Sequence, residues 1–222
     1  MKTLQQLAKI FSLVLVLFAA GCKKDKQDSL PVNPDDLLAY RFVGTFIDNN
    51  GVERLRLFYF NKTGNTIECT TDYITTRRIQ TVNLANNSFT IDMDGDGKVV
   101  YTFNLGKHNN GSVFIKSSTY QNTTAPTYIS WQCEAHKAAD ILSVKNMHFV
   151  GSNEYNISFK TDTWFFAKTP AVTGSFYEVF PGAWKGTLNG VDYFGIRLKT
   201  AQDSKMIFQK NGDTNMITLY QD

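Results

Sequence analysis

From Tyr40 onward, apolar and polar residues alternate in short runs, which Gly, Asn and Asp interrupt at short intervals. A period of two puts successive side chains on opposite faces of a β-strand. In the run 52–60, for example, Leu55, Leu57 and Tyr59 fall on one face. About twelve such runs, spaced roughly 8–14 residues apart, predict an all-β fold, an antiparallel meander that closes into a lipocalin-like barrel or stacks as a β-sandwich.

Two local patterns refine this prediction. Asn189-Gly190, between two alternating runs, is the dipeptide that type I′ hairpins prefer, so a tight hairpin is expected there. In the interval 135–144, Ala138, Ile141 and Leu142 recur at helical spacing. So short an interval predicts at most one short helix, which would need tertiary support.

The composition agrees with a packed β domain. Hydrophobic residues make up 42% of the chain, aromatic residues 14% and charged residues 19%, whereas a disordered chain combines low hydrophobicity with high charge. The formal net charge is +3, and from Tyr40 onward 18 basic residues face 16 acidic ones. This near balance argues against a nucleic-acid partner.

The N-terminus has the pattern of a secretory signal. Lys2 and Lys9 precede an apolar run over residues 10–20 that is too short to span a bilayer, which takes roughly 20 residues. A basic start, a short apolar run and small residues at its end are typical of a signal peptide, here residues 1–21.

The end of this signal resembles the lipobox of bacterial lipoproteins. The matching stretch is Ala19-Ala20-Gly21-Cys22, although the family more often has Leu at the first position. The resemblance implies that Cys22 is acylated, with palmitate among its chains, and holds the protein on a membrane of the cell envelope. Lys23 stands where some lipoproteins carry the Asp that retains them in the inner membrane, which favours the outer membrane. The periplasmic and the surface-facing orientations both stay open.

Residues 22–38 are rich in Lys, Asp and Pro and poor in apolar residues until Leu37. This composition predicts a flexible tether after the lipidated Cys22. The remaining residues, 39–222, are expected to form a single β domain.

Residues 40–167 resemble lipocalin-like envelope lipoproteins in their succession of short strands. That family opens its barrel with a Gly-x-Trp element, which occurs in this chain at Gly182-Ala183-Trp184, whereas the domain start at 42–46 has no Trp. The resemblance implies a barrel that takes a small apolar ligand.

Three Asp residues form the sharpest local motif. Asp92, Asp94 and Asp96 alternate ahead of Gly97, as oxygen ligands do in the first half of a calcium-binding loop. Phe103 occupies the position of the usual bidentate Glu. The two interpretations are a calcium site and a hairpin tip built from Asp and Gly. No cofactor other than this possible calcium ion is indicated.

Cys69 and Cys133 remain once Cys22 is assigned to lipid. An oxidising envelope permits a disulfide between them. Two separately buried thiols are the alternative.

Aromatic residues concentrate in the C-terminal third of the chain, where Phe176-Tyr177 is one of several neighbouring pairs of rings. Such rings could stack on a sugar or line an apolar pocket, and core packing is the alternative. The candidate ligand-binding residues are Trp164, Trp184, Tyr193 and Phe194.

The sequence lacks the motifs Gly-x-Ser-x-Gly, His-Glu-x-x-His and the phosphate-binding glycine loop. We therefore expect no catalytic residue and a protein that is not an enzyme. The favoured function is a lipid-anchored binding protein for a small apolar ligand. A glycan-binding surface lipoprotein and a structural partner in an outer-membrane complex are the alternatives.

Overall fold

A computed structural model describes residues 30–48, 50–72, 77–124, 128–151, 156–166, 173–201 and 203–222. The expected signal peptide, 1–21, and the expected lipidation site, Cys22, lie outside these residues. All elements described below belong to one unit, Pro31–Asp222.

Within these ranges the chain forms strands almost throughout, which confirms the all-β prediction. The strands are β1 (Tyr40–Asp48), β2 (Glu53–Thr63), β3 (Thr66–Asp72), β4 (Arg77–Thr81), β5 (Ser88–Asp92), β6 (Val99–Lys107), β7 (Val113–Asn122), β8 (Tyr128–Lys137), β9 (His148–Val150), β10 (Asn156–Phe159), β11 (Thr163–Phe166), β12 (Thr173–Phe180), β13 (Ala183–Leu188), β14 (Val191–Lys199), β15 (Ser204–Lys210) and β16 (Ile217–Gln221).

The strands divide into two halves. In the N-terminal half, β4-β3-β2-β1-β8 form a five-stranded sheet and β5-β6-β7 a three-stranded sheet, and one apolar core lies between them. In the C-terminal half, β9 to β16 form a closed antiparallel barrel in which β16 pairs with β9. The closed barrel thus begins at His148 and follows most of the segment, 40–167, that resembled lipocalin-like proteins.

The hairpin between β13 and β14 is the predicted one. Leu188 pairs with Val191 across the turn. Asn189 has φ 51° and Gly190 has φ 74°, and a type I′ turn requires positive φ at both central residues.

The interval 135–144 differs from the prediction. Strand β8 continues to Lys137, and only Ala138–Asp140 form a single turn of 3₁₀ helix. The register pairs Ala135 with Phe42 of β1, so pairing with a central strand replaces the short helix that the spacing indicated.

The tether prediction over 22–38 is corrected at its C-terminal end. Pro34–Ala39 form a 3₁₀ helix, and Leu37 within it is fully buried in the N-terminal core. Val32 is buried as well, and its backbone N–H donates to Asn87 Oδ1 at 2.8 Å. Val32 and Leu37 thus pack the C-terminal part of the predicted tether onto the domain. Residues 22–29 lie outside those described.

The two halves meet along an apolar junction. Its buried residues come from β1 and β2 on one side, from β13 and β14 on the other, and from the segment before β9: Val43, Leu55, Leu57, Ile141, Ala183, Phe194, Ile196 and Leu198. Gln209, which is fully buried, bridges the halves by accepting from Leu55 N at 3.2 Å and donating to Glu53 O at 2.6 Å.

Candidate functional site

The predicted aromatic site residues are core residues. Trp164 and Trp184 are fully buried inside the barrel with their ring centroids 5.1 Å apart. Tyr193 packs edge-on against Trp164 at 4.8 Å. Phe194 faces outward from the barrel and is buried in the junction. The prediction of a ligand-binding ring platform is therefore corrected to core packing for Trp164, Trp184 and Phe194, whereas Tyr193 also lines the groove described next.

A groove of about 210 Å³ lies instead on the outer face of the barrel. We call it the outer groove, and it is lined by Ser175, Tyr177, Lys185, Gly186, Thr187, Asp192 and Tyr193.

Strand register explains how the groove is assembled. Ser175 of β12 pairs with Thr187 of β13, which pairs with Asp192 of β14. Tyr177 pairs with Lys185, two residues along each strand, in the adjacent row on the same face. Side chains at paired positions share a face of a sheet. Three strands thus contribute two rows of polar groups to one patch.

Tyr177 supplies the aromatic surface of the groove. It is 61% exposed, whereas its neighbour Phe176 is buried inside the barrel. Thr187 Oγ1 donates to Asp192 Oδ1 at 2.9 Å, so this hydrogen bond joins two polar side chains of the lining. An exposed ring face beside hydroxyls and a carboxylate can stack on an apolar face of a ligand and hydrogen-bond its hydroxyls.

Lys185, which lines the groove, belongs to a buried ion pair that spans the halves. Lys185 Nζ contacts Asp72 Oδ1, and the Asp72 side chain is 1% exposed. The hydroxyl of Tyr59 donates to Asp72 Oδ2 at 3.4 Å. Burial, together with the Asp72 charge, raises the pKa of Tyr59 to about 12. The Tyr59 phenol therefore stays protonated as a donor over the physiological range.

A second buried cation closes one end of the barrel. Arg197 donates from Nε to Ser204 Oγ at 3.1 Å, from Nη1 to Ser143 O at 2.6 Å and from Nη2 to Gln221 Oε1 at 2.7 Å. Its guanidinium also lies 5.8 Å from the centre of the Phe149 ring. Burial lowers the pKa of Arg197. These contacts assign Arg197 to the closure of the barrel.

The Asp-rich turn is a hairpin tip. Asp92 accepts from Gly95 N at 2.9 Å and from Gly97 N at 3.0 Å, and Asp96 contacts Lys98 Nζ. In the part of the chain that the structure describes, no group of three or more His, Cys, Asp or Glu could hold a metal ion. The carboxylates turn toward the backbone and the lysine of their own loop, which is the geometry of the hairpin-tip alternative, and the calcium site at Asp92, Asp94 and Asp96 stays a prediction.

Cys69 and Cys133 are free thiols. They lie on β3 and β8, with β2 and β1 between them in the same sheet. Three strand spacings amount to about 14 Å along the sheet, whereas the Cα atoms of a disulfide lie within about 7 Å. The possible disulfide is thus corrected to two separate thiols, and burial raises the pKa of each.

One pair of side chains outside the groove combines a hydroxyl with an imidazole. His148 Nδ1 and Ser158 Oγ are 2.5 Å apart on the neighbouring strands β9 and β10. Strand pairing brings these two residues together, and no local sequence pattern indicates the contact.

No protein-family model matches the chain, and no curated protein sequence matches it. Among solved structures, the chain is similar to kievitone hydratase from Nectria haematococca, at 11% sequence identity over 89% of this chain and 93% of that chain, with a TM-score of 0.25. Within the described ranges, no helix is long and apolar enough to cross a membrane.

This comparison corrects one expectation. The matched structure is that of an enzyme, so the expectation that the protein is not an enzyme is withdrawn. A TM-score of 0.25 assigns this chain neither to a fold family nor to a reaction.

Proposed function

We propose that the protein is a lipid-anchored binding protein of the cell envelope that binds a glycan in the outer groove. The observation that carries this proposal is Tyr177, a ring that is 61% exposed at the edge of a groove with a polar lining.

The lining suits a sugar better than an apolar molecule. A sugar ring offers a C–H face for stacking and hydroxyls at its rim, and Tyr177 with Ser175, Thr187 and Asp192 offers the complementary groups. Inside the barrel, by contrast, the Trp184 ring lies 4.9 Å from the Phe159 ring, where an apolar ligand would need room. The proposed ligand is therefore a glycan, and the barrel serves as its scaffold.

The anchor part of the proposal rests on the N-terminal sequence. The short apolar run, the small residues 19–21 and Cys22 support lipidation, and Lys23 supports the outer membrane. Two or more acyl chains hold a protein firmly on a bilayer, since each buried methylene contributes roughly 0.8 kcal/mol.

Isothermal titration with neutral oligosaccharides of glucose and mannose tests the binding function. We expect saturable binding by the wild-type domain and a loss of about tenfold in affinity for Tyr177→Ala, because one stacked ring contributes roughly 1.5 kcal/mol. Tyr220→Ala is the matched control, since Tyr220 is 58% exposed on β16, a strand that contributes no residue to the groove. Equal affinities of Tyr177→Ala and Tyr220→Ala would contradict binding in the outer groove.

Labelling of growing cells with radioactive palmitate tests the anchor. The wild-type chain should carry label and sediment with outer membranes, and Cys22→Ala should do neither. Equal label in both chains would contradict lipidation at Cys22.

A further inference from the structure

Asp72 lies outside the outer groove but contacts the lysine that lines it. The carboxylate comes from the end of β3 in the N-terminal half, and Lys185 comes from β13 of the barrel. Lys185 lines the groove, whereas Asp72 does not. The charge of a groove residue is thus balanced by a residue from the other half of the chain.

Burial makes this pairing strong. The Asp72 side chain is 1% exposed and that of Lys185 is 15% exposed. A carboxylate this deeply buried needs a cation and hydrogen bonds to offset its lost hydration. Arg77 Nε is 4.0 Å from Asp72 Oδ2 but its side chain is 56% exposed, so Lys185 is the principal buried partner. Lys185 is held from the other side as well, with Nζ 5.6 Å from the centre of the Phe194 ring.

The consequence is a groove in which the charge of Lys185 is balanced and that of Asp192 is not. The ammonium of Lys185 is neutralised by Asp72. Asp192 contacts Thr187, and no Lys or Arg of the described chain lies within ion-pair distance of its carboxylate. A ligand carboxylate placed in the groove would meet Asp192 without gaining a free cation, and like charges at close range disfavour binding.

We propose that Asp72 determines which glycans the groove accepts: by neutralising Lys185, it selects saccharides that carry no acidic groups. This inference rests on the proposed glycan-binding function. Asp72 is a specificity-determining residue that acts through Lys185 and does not touch the ligand.

The test compares two ligands of matched length, a neutral manno-oligosaccharide and an oligogalacturonate, by isothermal titration at low salt. The wild-type protein should bind the neutral ligand at least about tenfold more tightly than the acidic one. Asp72→Asn frees the charge of Lys185, so affinity for the oligogalacturonate should rise by about tenfold and fall again at high salt. Affinity for the neutral ligand should stay within about twofold.

Two further variants keep the test independent of effects on folding. Glu68→Gln changes a carboxylate on the same strand and face as Asp72, and it should leave both affinities unchanged. Asp192→Asn removes the carboxylate in the groove without touching the junction, and it should also raise the affinity for the oligogalacturonate. If Asp72→Asn gains no affinity for the acidic ligand, Asp72 does not set the preference, whatever the result for Asp192→Asn.

The outcomes separate the two proposals. A wild-type protein that binds the acidic ligand as tightly as the neutral one overturns the role of Asp72 and leaves glycan binding in place. A wild-type protein that binds neither ligand, nor any neutral oligosaccharide of the wider set, overturns the glycan-binding function and this inference with it.

Discussion

Gly195 of β14 pairs directly with Trp184 of β13, and the missing side chain of the glycine makes room for the indole. A Cβ atom at position 195 would lie 2.7 Å from Trp184 Nε1 and 2.9 Å from the carbonyl oxygen of Ile207. The same relation recurs at Gly186, where a Cβ would lie 2.8 Å from Trp164 Nε1. The indole of Trp164 thus depends on a glycine of β13, and the indole of Trp184 depends on a glycine of β14.

Gly195→Ala should destabilise the barrel by about 1–3 kcal/mol, because the added methyl group meets a backbone oxygen and a buried indole that cannot both retreat. Urea unfolding measures the loss. Thr218→Ala, at an exposed position of β16, is the control and should lower the free energy of unfolding by less than about 0.5 kcal/mol. A Gly195→Ala protein as stable as the wild type would show that the indole is free to move.

Glycines at inward positions also explain why some strands lack the apolar alternation that predicts a strand. Where inward positions are apolar, as in β14 or β2, alternation predicted the strand. Strand β12 shows no such alternation, because its inward positions include Gly174, which makes room for Trp164, and Glu178, which accepts from Val144 N at 2.8 Å. Strand β9 has only three residues, too few to show a period.

Leu37 is expected to be a structural anchor of the N-terminal segment. Leu37→Ala should cost about 2–5 kcal/mol of unfolding free energy, since it empties a fully buried site in the core. Leu38→Ala, next to it and only half-buried, should cost clearly less. Chemical denaturation of both variants decides the point, and equal losses would contradict the packing of residues 34–39.

The stability of the junction should fall at alkaline pH. Because the pKa of Tyr59 is raised to about 12 in the folded protein, the unfolded chain loses this proton near pH 10 while the folded chain keeps it. The contribution of the protonated phenol is therefore complete below about pH 10 and is lost as the pH rises toward 12.

Unfolding free energies of wild type and Tyr59→Phe between pH 9 and 12 measure this contribution. The wild type should lose stability more steeply than the variant. Tyr220→Phe, at an exposed tyrosine, should follow the wild type. Parallel curves for the wild type and Tyr59→Phe would contradict the assignment.

Thiol counting tests the separation of Cys69 and Cys133. The unfolded, unreduced Cys22→Ser protein should show both as free thiols. In the native protein both should react slowly, because burial raises the pKa of each and disfavours the reactive thiolate. A count of zero in the unfolded protein would instead establish a disulfide.

Only part of the candidate site could be predicted from the sequence. Tyr193, one of the predicted ligand-binding residues, lines the groove, whereas Tyr177, the exposed ring of the groove, was not among them. Which ring stays exposed depends on the closure of the barrel. The contact between Asp72 and Lys185 joins residues from two halves, and no local pattern indicates it.

Binding of a glycan on the outside of the barrel can be measured by NMR titration of the ¹⁵N-labelled domain with a neutral oligosaccharide. We predict saturable shifts of the backbone amides of Tyr177, Thr187 and Asp192, with the indole N–H signals of Trp164 and Trp184 unchanged. The contradicting result is shifts of the two indoles on addition of a fatty acid, with no response of the groove amides to any saccharide. That result would place the ligand inside the barrel.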